Sequence, residues 1–345
     1  MFDNFPVTIN SIVFLGLAAL IWLAGTRLSY LIDAIAERTK IARAFLGLVL
    51  LATATELPEL VTTLSATTSG TPSLALNNMF GGMLLQLFVL AIADMFVKEG
   101  PLVSRPHKPT VAIAGLLCIT SLAAVLIAKT LGDQILAFHI GIGSAFIALL
   151  YIASMYILWQ MENRETWSPV DLPENQIAEQ ARQNRYDEKS FAYLIIFSAL
   201  CAAVILVCGV LLVRLADTLA NQTGLGTSFI GATLLALTTS MPELSTSIAA
   251  VRVKAYTMAI SNIFGSNMIM TFLLFPNDLA YTDGSIFSQI DKLATFAITA
   301  GIFLTGLYCI GLLARPKIKI FRMGLTSIAL MIGYFFSIIV LYNLR

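Results

Sequence analysis

Thr238-Thr239-Ser240-Met241-Pro242-Glu243-Leu244 stands in the middle of an apolar stretch and reads as a helix that stops and starts again. Proline removes a backbone donor and clashes with the turn before it, so a break is expected just ahead of Pro242, with Glu243 immediately beyond it. The same pattern occurs once earlier in the chain, as Ala54-Thr55-Glu56-Leu57-Pro58-Glu59-Leu60. At this one fixed offset, and without a gap, Phe45 falls over Phe229, Gly47 over Gly231, Thr55 over Thr239, Glu59 over Glu243, Asn78 over Asn262, Phe80 over Phe264 and Gly81 over Gly265. It gives 16 identities in the 44 pairs from Phe45 to Phe88. Apolar composition alone does not align two Pro-Glu pairs and two Asn-x-Phe-Gly runs, so the chain contains an internal duplication.

The surroundings are those of a membrane protein. Of 345 residues, 58% are hydrophobic and 12% charged, far from the roughly 25% charged of soluble domains. A span needs about 20 mostly apolar residues, and ten segments meet that length: roughly 9 to 33, 42 to 66, 72 to 96, 109 to 129, 134 to 160, 191 to 216, 228 to 251, 257 to 275, 288 to 313 and 322 to 342. The first is read as a retained helix, because the apolar excess runs the whole length rather than over one leader. The polar stretch from Glu162 to Ser190, with Pro169 and Pro173, divides the chain into a first five-helix repeat (1–160), a cytoplasmic linker (161–190) and a second five-helix repeat (191–345). The duplicated cores are 45–88 and 229–272. Alternate loops carry 16 of the 21 Lys and Arg, which makes their side cytoplasmic by the positive-inside rule and leaves both termini outside. Five is odd, so the second copy is expected to enter the bilayer from the opposite face. Inverted repeats of this kind point to a transporter with a substrate site at the repeat interface.

Ionisable groups inside spans are costly and default to functional sites. Glu59 and Glu243 lie deep in the second and seventh segments. The freed carbonyls of the two breaks, with the hydroxyls of Thr55, Thr239 and Ser240, are expected to line a cavity. Ser240-Met241-Pro242-Glu243 also has the form of a capping box, which a broken helix needs in any case. Glu56, three residues before Glu59, shares its face if that turn is helical. Three carboxylates with no nearby Lys or Arg must hold cations or protons, and competition of cations for one charged site is the basis of antiport. All-oxygen donors suit hard cations such as Ca²⁺, with Na⁺ close in size.

These residues resemble the sodium/calcium exchanger family, whose paired motif Gly-Thr-Ser-Leu-Pro-Glu-Leu is followed by Gly-Asn-x-x-Gly-Ser-Asn. Here the second copy continues as Ser261-Asn262-Ile263-Phe264-Gly265-Ser266-Asn267 and the first as Asn77-Asn78-Met79-Phe80-Gly81-Gly82-Met83. The resemblance implies ten helices, with alternating access by movement of the first and sixth. It implies Glu59, Glu243, Thr55, Thr239, Ser240 and Ser266 as ligands, with the backbone oxygens of Ala52 and Ala236, and it places Gln86 at a further Asn or Asp position. Three departures stand out. Met270 occupies a position usually held by Asp or Asn, Glu56 replaces the motif serine, and Gly82 replaces another serine. A thioether is a poor ligand for Na⁺ or Ca²⁺, so proton coupling through Glu56 joins Na⁺ coupling as an open alternative, and loss of transport is a third.

The remaining features exclude other classes. A net charge of +1 argues against nucleic acid. Cys118, Cys201, Cys208 and Cys309 fall in apolar segments without metal or disulfide spacing. No GxxxxGK[ST] signals a primary pump, and no Ser/His or HExxH arrangement signals a hydrolase, so no enzyme and no cofactor is expected. A passive cation channel remains as a rival. The expected partners are membrane lipid and the transported cations, with a single chain as the transport unit, and the short linker suggests a microbial inner membrane. Asp94 and Lys98 read as an interfacial pair on one helix.

Overall fold

At both Pro-Glu pairs a helix begins one residue ahead of the proline, and the two starts match. In the computed structural model, which describes residues 2, 4–39, 56–98, 100–106, 109–137, 139–162, 189–252, 254, 256–320 and 322–345, helices start at Leu57 and at Met241, each with proline second. The residues just ahead, Glu56 (φ −82°, ψ 1°) and Ser240 (φ −86°, ψ 8°), adopt the same bridge conformation. At Ser240 the chain bends by 43°. The preceding turn, Gly231–Leu235, is π-helical, a local widening often found where a helix carries function. Ala52, Thr55 and residues 163–188 of the linker lie outside the described residues.

The helices are α1 (Val7–Thr39), α2 (Leu57–Thr68), α3 (Pro72–Asp94), α4 (Thr110–Leu131), α5 (Ile142–Glu162), α6 (Phe191–Thr223), α7 (Thr227–Ile230), α8 (Ala236–Thr239), α9 (Met241–Arg252), α10 (Tyr256–Phe272), α11 (Leu274–Ala280), α12 (Lys292–Ala314) and α13 (Leu325–Leu344). Two small hairpins, β1 (Ile135–Ala137) with β2 (Ile140–Gly141) and β3 (Lys319–Ile320) with β4 (Met323–Gly324), precede α5 and α13. Element bounds recur at the offset of the duplication: shifted by it, α1 becomes α6, α2 becomes α9, and the start of α3 becomes the start of α10. Among the described residues, eight helices are long and apolar enough to cross a membrane, or nine if the bent pair Thr227–Thr239 and Met241–Arg252 is one span. Of the segment expected at 42 to 66, residues 42–55 lie outside the described residues.

Burial sorts the spans into layers. α3 and α10 are the most enclosed, wrapped by α2, α9, α4, α12 and α13. They bury Phe80, Phe264, Met79, Leu84 and Met268 in one core with Tyr308 and Leu122. Close packing comes from glycine: a methyl added at Gly81 would stand 2.4 Å from the Ala232 carbonyl oxygen, so α3 crosses the π turn backbone to backbone. α1 and α6 form an outer pair and expose Leu15, Leu23, Phe197 and Leu206, as lipid-facing surface does. Their inner contacts are again glycines, and again offset partners. Gly25 of α1 faces Pro242, with 2.7 Å from an added methyl to its Cγ, and Gly209 of α6 faces Val61, with 2.8 Å to its Cγ1. Each outer helix therefore lies on the kinked helix of the other half.

Two buried aspartates tie the halves together. Asp94 at the end of α3 accepts the Leu102 amide at 2.6 Å and, from the β3–β4 hairpin of the second half, the Gly324 amide at 2.6 Å. Asp278, its partner at the same offset, accepts the Ile286 amide at 2.8 Å and, from the β1–β2 hairpin of the first half, the Gly141 amide at 2.7 Å. The Ser144 hydroxyl adds a third donor to Asp278. The expected Asp94–Lys98 surface pair is thus corrected. Asp94 is fully buried while Lys98 is exposed, and amides rather than an ammonium take its oxygens.

Candidate ion-binding site

Where the starts of α2 and α9 approach each other, polar side chains fill an otherwise apolar interior. Glu59, Glu243, Thr239, Ser266, Gln86 and Asn78 have no exposed surface, and Glu56 and Ser240 have 1% each. Pro58 and Pro242 supply no amide hydrogen, and irregular backbone at membrane depth is tolerated only when protein or a polar cavity surrounds it.

The contacts cross between the halves. Ser240, immediately ahead of α9, donates its hydroxyl to Glu59 Oε1 at 3.4 Å. Thr239 donates to the Asn78 side-chain oxygen at 3.4 Å, and Asn78 Nδ2 donates to Thr62 at 3.2 Å. Gln86 Nε2 donates to Glu56 Oε1 at 3.3 Å, and the Ser266 hydroxyl neighbours the same carboxyl. The carboxylates of Glu243 and Glu56 are near enough to Glu59 to repel its charge. Seven of the eight described residues expected at the site, Glu56, Glu59, Gln86, Thr239, Ser240, Glu243 and Ser266, therefore form one cluster.

Ala236, the eighth, is buried next to it; its carbonyl accepts the Ser240 amide at 3.0 Å and lies 3.2 Å from the Thr239 hydroxyl, whose single hydrogen it shares with the Asn78 oxygen. Among the described residues, Glu56 Oε2 and Glu59 Oε2 have no hydrogen-bond partner, and the described buried side chains include no Lys or Arg. A buried anionic oxygen without a donor is several kcal/mol uphill, so these atoms are suited to a mobile positive charge. No three Asp, Glu, His or Cys side chains among the described residues close on one metal-sized point in this conformation. Carboxylates alone therefore do not make a metal site here, and any such site would need hydroxyl and amide oxygens as well.

Several participants escaped the sequence reading. Asn78 links the halves through Thr62 and Thr239. Its offset partner Asn262 repeats half of that role by donating to Thr246 at 3.3 Å, and the matched pairs Asn78/Asn262 and Thr62/Thr246 were the signal for both bonds. Asn277 bridges α11 to α2, donating to Thr63 at 3.2 Å and accepting from Thr67 at 2.7 Å. Its offset position is Ala93, so the repeat gives no hint of it. The four cysteines are free thiols.

The sequence profile of the sodium/calcium exchanger protein family matches residues 9–160 and 193–343. Among curated relatives, the putative antiporter CaxA of Alkalimonas amylolytica is 25% identical over 256 residues, 74% of this chain and 75% of its own length. The inner membrane protein YrbG of Escherichia coli (strain K12) is 23% identical over 281 residues, 80% of this chain and 81% of its own. Of solved structures, native YfkE superposes with a TM-score of 0.68 at 15% identity, covering 99% of this chain and 94% of that one. The sodium-calcium exchanger NCX_Mj, soaked with 100 mM Na⁺ and 10 mM Sr²⁺, superposes at 0.58 and 18% identity, covering 97% and 99%. At such identities the two structures establish a shared fold.

Proposed function

The chain belongs to the sodium/calcium exchanger protein family, and on that premise we propose that this multi-pass antiporter exchanges Ca²⁺ for Na⁺ by alternating access, with Glu59 and Glu243 as the central ligands. The observation that carries the reading is the meeting of buried acids from two offset-equivalent, proline-led helix starts with no described buried Lys or Arg to neutralise them. Glu56, Thr239, Ser240, Ser266 and Gln86 complete the ligand set on the described residues, with the Ala236 carbonyl. Thr55 and the Ala52 carbonyl join them by their place in the repeat.

The coupling follows from electrostatics. Two like charges about 4 Å apart repel by about 4 kcal/mol at an effective dielectric of about 20, several times thermal energy. An empty, fully charged site therefore resists closure, and a cation that neutralises it permits closure. Only loaded protein then passes between outward- and inward-open states, and each ion returns in exchange for another. The chain is read as ten helices in two inverted repeats, 1–160 and 191–345, joined by a cytoplasmic linker at 161–190, with both termini outside and a cell inner membrane as its location. The moving part is assigned to α1 and α6. Their contacts at Gly25 on Pro242 and Gly209 on Val61 are smooth, with no side chain from the glycine to key either helix to the kink beneath it.

One observation favours a second reading in which H⁺ replaces Na⁺. Glu56 stands where the second half has Ser240, so the hydroxyl facing Glu59 in one half becomes, at the offset position, a protonatable group. Proteoliposomes given external labelled Ca²⁺ and either an outward Na⁺ gradient or a pH gradient separate the two. Uptake is expected under the Na⁺ gradient and insensitive to the pH gradient. Reversal of that pattern replaces Na⁺ by H⁺, and no uptake under either ends the exchange reading.

A further inference from the structure

The two flanks of the site are built from offset-equivalent residues of opposite chemistry. Glu56 pairs with Ser240, Gln86 with Met270, and Ser266 with Gly82, all in the register that pairs Glu59 with Glu243. On the first flank, Gln86 Nε2 donates to Glu56 Oε1 at 3.3 Å, Ser266 lies beside the same carboxyl, and Glu56 Oε2 and Gln86 Oε1 have no hydrogen-bond partner among the described residues. That flank presents buried oxygens to whatever enters.

The second flank brings together the matching three residues. A methyl added at Gly82 would stand 2.8 Å from Met270 Cε, 3.5 Å from its Sδ and 3.5 Å from Ser240 Oγ. The methionine methyl thus occupies the space that a side chain at position 82 would claim. Met270 is completely buried, and the one hydroxyl present, Ser240, already donates to Glu59. A long flexible side chain packed onto a glycine is a volume exchange of the kind close-packed interiors enforce. Its chemical result is a wall of methyl, thioether and Cα where the first flank has carboxylate, amide and hydroxyl. A hard cation entering there would exchange hydration for a thioether, which binds Na⁺ or Ca²⁺ poorly, and it would be desolvated without compensation.

We infer that Met270, seated on Gly82, plugs one of two pseudo-symmetric cation subsites, leaving a one-sided site in which Glu56, Gln86 and Ser266 form the retained flank. The inference rests on the cation-exchange reading and deepens it. It sets the number of ions held: one fewer monovalent cation at saturation than the same frame with oxygen ligands on both flanks.

The test counts bound ions rather than transport. Radiolabelled Na⁺ is titrated onto detergent-purified wild type, Met270→Leu, and the double variant Met270→Asp with Gly82→Ser, and thermal unfolding confirms the fold of each. The single Gly82→Ser is avoided because its Cβ would collide with the methionine. One additional Na⁺ per protein is expected in the double variant, and the wild-type count in Met270→Leu. An unchanged count in a folded double variant overturns the inference, as does a rise in Met270→Leu. If the double variant does not fold, Met270→Asn takes its place, with a raised count expected and an unchanged count overturning the inference. The outcome is separable from the exchange reading: a wild type inactive in proteoliposomes ends that reading while the binding counts still judge the plug.

Discussion

The described interior of this protein holds two sets of buried acids that solve the same electrostatic problem in opposite ways. Asp94 and Asp278 each accept backbone amides on both oxygens at 2.6 to 2.8 Å, so their charge is met by fixed dipoles. Glu56 and Glu59 each retain an oxygen with no partner among the described residues, and their shared neighbourhood includes a third acid, Glu243. The first set is finished chemistry and the second is unfinished. The difference teaches where to look for function: an acid satisfied by the fold holds the fold, and an acid left open by it awaits something that comes and goes.

The sharpest way to break this contrast is to neutralise one acid of each kind. Glu59→Gln is expected to cut exchange in proteoliposomes at least about a hundredfold, about 2.7 kcal/mol of lost stabilisation, with no fall in the unfolding midpoint in cation-free buffer. A variant that exchanges normally removes the glutamates from the site. Asp278→Ala, and equally Asp94→Ala, is expected to lower stability by roughly 2–6 kcal/mol, because two buried amides lose their acceptor at about 1–3 kcal/mol each, while exchange per folded molecule is retained. Denaturant titration in detergent measures the first quantity, and a selective loss of exchange at full stability would erase the distinction.

A third comparison uses the ion itself. Ca²⁺ at about 100 times its dissociation constant should stabilise the native state by about 2.7 kcal/mol. That gain is expected to vanish in Glu59→Gln, to survive in Asp278→Ala and to reverse on chelation. Equal gains in both variants would place the ion elsewhere. The smallest effect concerns the two asparagines. Asn262→Ala forfeits a single hydrogen bond to Thr246, about 1 kcal/mol. Asn78→Ala loses contacts to both Thr62 and Thr239 and is expected to cost more and to disturb exchange as well. Equal costs would mean that Asn78 is not part of the cross-half network.

Much of this was readable from residues because the duplication supplies its own control. Pro58 and Pro242 fix the breaks by local sterics, and their alignment in a single ungapped register places Glu59 and Glu243 together. What stayed hidden depends on contacts remote in sequence. Asp94 and Asp278 obey the same offset but fall beyond Phe88, where the scored match ends. The other available clue, an acid at the C-terminal end of a helix against its dipole, says only that something must hold it. The hairpin amides that do so come from 137 residues away for Asp278 and 230 residues away for Asp94. Met270 and Gly82 were each visible as departures, but nothing in a linear pattern says that one lies on the other. The expected Asp94–Lys98 pair failed for the complementary reason: helical spacing reports neighbours on one helix and is silent about what else reaches them.

The reciprocity of the aspartates has a further consequence. Asp94 reaches the turn before α13, and Asp278 reaches the turn before α5, the same residue type engaging the same element twice in opposite senses. That is the signature of an isologous interface, where i meets j and j meets i, here enclosed within a single polypeptide. A gene severed inside residues 163–188 would yield two fragments that are each other's only described source of those hairpin amides, so they should reassemble when made together and fail when made alone. The single chain in this sense carries the handshake of a two-subunit pair, while the residues ahead of its two matched prolines, Glu56 and Ser240, differ.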